Sequence, residues 1–128
     1  MSTLNVSNIT DGTTTVGTSY VVNGSAKATV YIAANGASSA SSLNISSIDD
    51  DGTGDRGVNL TSSMSNSTYV VLFGADDAAS SSSSRQCDTT NGTMAAGTFD
   101  FECYSVNSGQ DRVARDAINY VSVHGDLA

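Results

Sequence analysis

Lysine occurs once, at Lys27, histidine once, at His124, and cysteine twice, at Cys87 and Cys103, in a chain of 128 residues. Each scarcity excludes something. With five basic residues against thirteen acidic ones and a net charge of −8, no basic footprint exists to neutralise a phosphate backbone, so nucleic acid is not an expected partner. Two cysteines cannot supply a four-ligand zinc site and are a thin basis for a disulfide framework. A reducing compartment disfavours a bridge between them, so two buried or half-buried thiols are expected, with the bridge left open as the alternative. The opening "MSTLNVSNIT" has neither a positive segment nor an apolar stretch, and nothing approaches the roughly 18 continuous apolar residues of a spanning helix. The expectation is a soluble protein made in a cytosol, without membrane insertion.

Helix formers are scarce as well: Leu, Met, Glu and Lys are few, while Ser (22), Thr (14), Asn (10) and Gly (12) fill 58 positions. Short bursts of β-branched and aromatic residues between polar turns predict an all-β fold. The length suits one packed domain with an extended arm. At 38% hydrophobic, with many alanines, the core is thin, and oligomerisation is an expected source of stability.

Residues 1–27 carry two short apolar patches, Leu4 to Ile9 and Ser19 to Val22, around the turn-rich "TDGTTTVGT". They read as an N-terminal attachment arm, and residues 28–128 as an antiparallel β-sandwich. Strands are expected at 28–34, 43–48, 57–60, 68–74, 85–90, 98–104 and 117–125. Residues 35–42 read as a flexible connection, 91–93 as a turn, and 106–117 as a loop with room for one helical turn. Within the strands, alternation places Leu43 with Ile45, Val58 with Leu60, and Phe99 with Phe101 and Cys103. It sets Ile118 and Tyr120 against Val121 and Val123, with a local irregularity. "TYVVLFG" is the most continuous apolar run and predicts the central strand, covered on both faces or at a subunit contact. The serine-rich stretch after it reads as a solvated loop.

Four aspartates, Asp49, Asp50, Asp51 and Asp55, crowd "DDDGTGD". Counted from Asp49, carboxylates fall at positions 1, 3 and 7, with Thr53 at 5 and Gly54 at 6, which echoes the start of a calcium-binding loop. Position 12 is Leu60 where a bidentate Glu is needed, and both flanks read as strands. A hairpin whose turn residues supply positive φ is the preferred reading, with a looser calcium site as the alternative.

Catalysis would have to be built around His124, with Asp126 two residues on and a serine from the many available; a surface or interface histidine is the expected role. Carboxylate pairs for glycoside cleavage could be drawn from Asp100, Glu102 and the 49–55 cluster, but 128 residues leave little room for a deep groove. The chain is therefore read as non-enzymatic, with no catalytic, metal or cofactor residues. Seven Asn-x-Ser/Thr sequons, at Asn5, Asn8, Asn23, Asn44, Asn59, Asn66 and Asn91, follow from composition. Tyr31, Tyr104 and Tyr120 are candidates for stacking on a sugar ring, with packing as their simpler role.

The segment "NISSIDDDGTGDRGVNLTSSMSNSTYVV" resembles one common in tail-fibre and appendage proteins of marine tailed phages, particularly those infecting cyanobacteria. Ile48, Asp49, Gly52, Thr53, Gly54, Asp55, Val58, Asn59, Met64, Tyr69 and Val71 carry the likeness. "TFDFECYSVNSG" with "DAINYVSVHGD" is similar to that family's closing strands, and "STLNVSNITDGT" to its N-terminal segment. Arg56 and Gly57 stand where the family usually has an aromatic and a Thr, Leu60 replaces Phe, the proline after the Met is absent, and the serine-rich loop from Ala78 to Ser84 is unusual. The resemblance implies a virion structural protein: a small antiparallel sandwich of H-type-lectin-like architecture, often a homotrimer. Its arm would bind other virion proteins and its loops a host surface glycan. A capsid decoration protein is the alternative.

Overall fold

The computed structural model describes residues 2–36, 38–76, 85–89, 94–106 and 109–128. In chain order the elements are β1 (Asn8–Thr10), β2 (Thr15–Gly17), α1 (Thr18–Gly24), β3 (Ala26–Ile32), β4 (Ser38–Leu43), β5 (Ile45–Gly52) and β6 (Asp55–Leu60). There follow β7 (Val70–Asp76), β8 (Gln86–Asp88), β9 (Met94–Ala95), β10 (Thr98–Val106), β11 (Arg112–Ala114) and β12 (Ile118–His124). The fold is all-β and antiparallel, as composition predicts. The serine-rich loop at 78–84 and the turn at 91–93 lie outside the described residues.

A smaller sheet has the order β4-β3-β12-β7. A larger sheet runs β11-β10-β6-β5, with β8 and β9 also paired to β10. One hydrophobic core takes side chains from both: Ala28, Val30, Ile32, Val121 and Val123 from the smaller sheet, Val58, Leu60, Phe99, Phe101 and Cys103 from the larger. Phe73 of β7 reaches across, its ring centroid 4.9 Å from that of Phe101 and 6.5 Å from that of Phe99. Alternation thus puts Phe99, Phe101 and Cys103 inward together, and Val58 with Leu60, as the period of two requires. On β12, Val121 and Val123 are buried while Tyr120 faces out, and the irregularity falls between Val123 and His124.

Four expectations are corrected. First, β7 is an edge strand, and the centre of its sheet belongs to β3 and β12; its continuous apolar run reflects an inner face of Val71 and Phe73 and an outer face of Val70 and Leu72. Second, residues 43–48 are not one strand. Asn44 adopts φ 57°, a left-handed conformation that Asn tolerates, and turns the chain from the smaller sheet into the larger. Its side chain clamps the corner, donating to the Ser62 carbonyl (3.0 Å) and accepting from the Ser62 N–H (2.7 Å). Leu43 therefore stays outside, 53% exposed, while Ile45 turns toward the core. Third, part of the expected connection at 35–42 is β4, and part of the expected loop at 106–117 is β11.

Fourth, Cys87 and Cys103 are bridged. Compartment says nothing of register: β8 and β10 pair so that the two residues stand directly opposite, with Cα atoms 4.2 Å apart, within the reach of a cross-strand disulfide. Buried Asn119 of the facing sheet donates its amide toward both sulfurs, at 3.2 and 3.0 Å. The bond closes a loop of sequence separation 16, which by chain entropy is worth about 3 kcal/mol. Urea unfolding with and without a reductant should show a stability difference of that size; equal midpoints would mean that the strands hold their register without the bond.

The segment before β3 differs from the rest. β1 and β2 form a three-residue ribbon around a turn in which Asp11 accepts from the N–H groups of Thr14 (2.8 Å) and Thr13 (3.0 Å) and from the Thr13 hydroxyl (3.0 Å). The Thr14 N–H above all, then those of Thr13, hold the Asp11 carboxyl at about 2 against an ordinary 3.8. α1 follows, with no side-chain cap and no buried residue.

Candidate interaction face

The aspartate cluster is a hairpin, as preferred above: β5 and β6 are joined through Thr53 and Gly54, with φ 144° at Gly52 and 75° at Gly54. Two of its carboxylates, those of Asp49 and Asp50, have assigned partners. Asp49 accepts from Asn59 Nδ2 (2.7 Å) on the outer face of the larger sheet. Asp50 pairs with Arg56, which points inward because it shares parity with Val58 and Leu60, and is 2% exposed. Arg56 Nη1 donates to Asp50 Oδ1 and to the carbonyls of Gly52 (2.8 Å) and Asp55 (2.9 Å), and Nη2 to Asp116 Oδ1 (2.9 Å) and the Ala34 carbonyl (3.3 Å). Asp116 also accepts from the Gly54 N–H (2.9 Å). Arg56 thus fastens the hairpin to the connection that follows β3 and to the one that precedes β12. Among the described residues no three His, Cys, Asp or Glu side chains are grouped to hold a metal ion.

Asp49 and Asp100 both flank Gly57, the pairing Asp49–Gly57–Asp100 running across β5, β6 and β10. They lie on the outer face of the larger sheet. Glu102 is engaged by Arg112 (3.3 Å), which also binds Asp88 (3.2 Å) and stacks 3.7 Å above the Tyr104 ring. Tyr104 donates to Asp88 (3.0 Å), and that bond, followed by burial, raises its phenol above the ordinary 10.0. Tyr104 is packed away from the other two tyrosine candidates. Tyr69 is likewise fixed, donating to the carbonyls of Ala95 and Thr98, both at 2.9 Å; burial, then the charge of Asp100, raises its phenol.

The remaining candidates converge on the outer face of the smaller sheet. Tyr31 and Tyr120 are cross-strand partners, with ring centroids 5.5 Å apart in an edge-to-face arrangement. Beside them Gly74 of β7 leaves a gap over which Tyr120 lies. Together with Thr29, Leu72 and Ser122 these residues line a shallow groove of about 450 Å³. Leu43, Val70, Leu72 and Tyr120 stand 51–56% exposed on this face, which makes it apolar on a side that an ordinary monomer would cover with polar groups.

His124 stands at one end of the face. Its Nε2 lies 2.9 Å from Ser122 Oγ, and its Nδ1 3.3 Å from the Gly24 carbonyl. A bonded serine and histidine suggest a nucleophile, but β12 is paired on both sides, with β3 and β7. Its backbone N–H groups are committed to those ladders and are not free to stabilise an oxyanion. Asp126 lies beyond the strand, its carbonyl accepting from the Ser65 N–H (2.8 Å).

Sequence reasoning placed Tyr31 and Tyr120 among candidates but missed Leu43, Val70 and Leu72 as their neighbours. The signal was present on β12, where Ile118 and Tyr120 are apolar on the face opposite Val121 and Val123. No helix among the described residues is long and apolar enough to cross a membrane. Set against protein-family models, curated protein sequences and solved structures, the chain matches none of them.

Proposed function

We propose that this chain is a non-enzymatic structural protein of a phage virion, a component of a tail fibre or appendage whose exposed loops contact the host surface. The observation that carries the reading is the placement of its exposed large apolar side chains, eleven of thirteen among the described residues lying on the arm and on one sheet face, surfaces suited to assembly. The resemblance of the 44–71 segment to appendage proteins of marine phages supplies the kind of particle. Two sheets meeting through a shared core suit a β-sandwich of the H-type-lectin kind, and a homotrimer would bury the faces of β7 and β12. The disulfide supports a working life outside a reducing cytosol, since such bonds persist in oxidising surroundings.

A second reading, a capsid decoration protein, is favoured by the arm alone, whose residues before β3 include none that is fully buried. The two separate on deletion of residues 1–27. A fibre component should still bind marine cyanobacterial cells, or polysaccharide extracted from them, without the arm. A decoration protein should bind purified expanded shells, and only with the arm. Binding to neither by the intact chain would overturn both, and release of reducing ends from the polysaccharide would overturn the non-enzymatic reading.

A further inference from the structure

We propose that the arm of one copy, residues 2–24, lies across the outer face of the smaller sheet of a neighbouring copy. The inference rests on the reading of this chain as an assembly protein and names the contact that assembles it.

The arm cannot be ordered on its own account. An isolated helix in water is marginal below about 12–15 residues, and α1 has seven, with no side-chain cap and no buried residue. A two-stranded ribbon is marginal even at hairpin length, and β1 and β2 have three residues each. Tyr20 is 78% exposed and Leu4 84%. These elements need a surface to rest on, and their own chain provides little: α1 is held to the body mainly by Lys27 Nζ donating to the Val22 carbonyl and by the contact of His124 with Gly24.

That surface exists on the same protein. Among the described residues thirteen large apolar side chains are exposed; seven lie on the arm and four on the outer face of the smaller sheet.

Charge selects the same pair of surfaces. Two copies carrying −8 each repel, and of the thirteen acidic residues only Asp11 falls on the arm. On the sheet face, Thr29, Tyr31, Tyr120, Ser122, Leu72 and Leu43 form an uncharged field, with Lys27, Asp76 and His124 at its ends. Arm against face is an approach of two near-neutral, apolar surfaces. Each contact joins two different patches, so the assembly closes either as a pair that exchanges arms across a two-fold axis or as a head-to-tail ring.

The test uses the full chain and two double variants with neutral replacements at exposed positions: Tyr20→Ser with Val22→Ser on the arm, and Leu72→Asn with Tyr120→Asn on the face. Circular dichroism should confirm that both keep the strand spectrum. In sedimentation equilibrium at micromolar concentration the wild-type chain should be a closed oligomer, and each variant alone should associate about a hundredfold more weakly. An equimolar mixture should then form a dimer and stop, because the face variant still offers an arm and the arm variant still offers a face. Wild-type chains that remain monomeric, a face variant that oligomerises like wild type, or a mixture that stays monomeric would each overturn the exchange. A monomeric wild type leaves the cell- and shell-binding assays to decide the virion reading separately.

Discussion

Arg56→Ala is expected to destabilise the fold by about 3–5 kcal/mol, the cost of breaking a buried ion pair by removing one partner. Two features set the value toward the lower end. Asp50 and Asp116 keep 57% and 47% of their side-chain exposure, so their charges return to solvent instead of being stranded. The carbonyls of Gly52, Asp55 and Ala34 lose their donor as well, but Gly52 is exposed and the other two are half-buried, so each loss falls at the low end of the about 1–3 kcal/mol of an orphaned acceptor. Arg56→Lys should recover only part of the loss, because one ammonium cannot reach both the Nη1 and the Nη2 partners of a planar fork. Urea unfolding is the measurement; a loss below about 1 kcal/mol would show that water substitutes for the guanidinium.

Phe101→Ala should cost about 3–5 kcal/mol, in the range for aromatic truncation in a packed core. Phe101 is fully buried, and the Phe73 ring from the opposite sheet packs on it at 4.9 Å. Removing the ring takes away both the transfer of its surface from water and the partner of a cross-sheet aromatic contact. Domains of this size are stable by only about 5–15 kcal/mol, so the variant should unfold at much lower urea with an unchanged slope. An equally stable variant would mean that the sheets collapse to refill the space, and that Phe73 is not the bolt between them. The variant combined with reduction of the nearby disulfide should not lose the simple sum, because Cys103 and Phe101 share one strand and one core.

Legibility followed the apolar side chains. Where bulky residues recur every second position, as at Phe99, Phe101 and Cys103, or Val58 and Leu60, both strand and facing came through. Arg56 belonged to the same series and could have been read inward by parity, but a charge at that place argues for exposure unless its partners are known, and Asp116 is 60 residues away. β4 was hidden because "SSASSL" carries no apolar period, and its pairing with β3 is decided by tertiary context. The order of strands was not legible either: a run of apolar residues marks two apolar faces, and it cannot tell whether the second is covered by the same chain or by another. For β7 it is not covered by the same chain. The bridge between Cys87 and Cys103 depended on a register that only the packed sheet supplies.

Gly54 bears on how the molecule could be altered. A Cβ at this position would run into the Cys103 carbonyl and the backbone of Arg115, while its own N–H and carbonyl bond Asp116 and the Cys103 N–H. A two-residue reverse turn with aspartates around it has the outward look of a place to graft a foreign epitope. Here the turn is a closure between three stretches of chain, so an insertion would pry apart the rim of the core, and grafts belong on a part of the surface with no such seam.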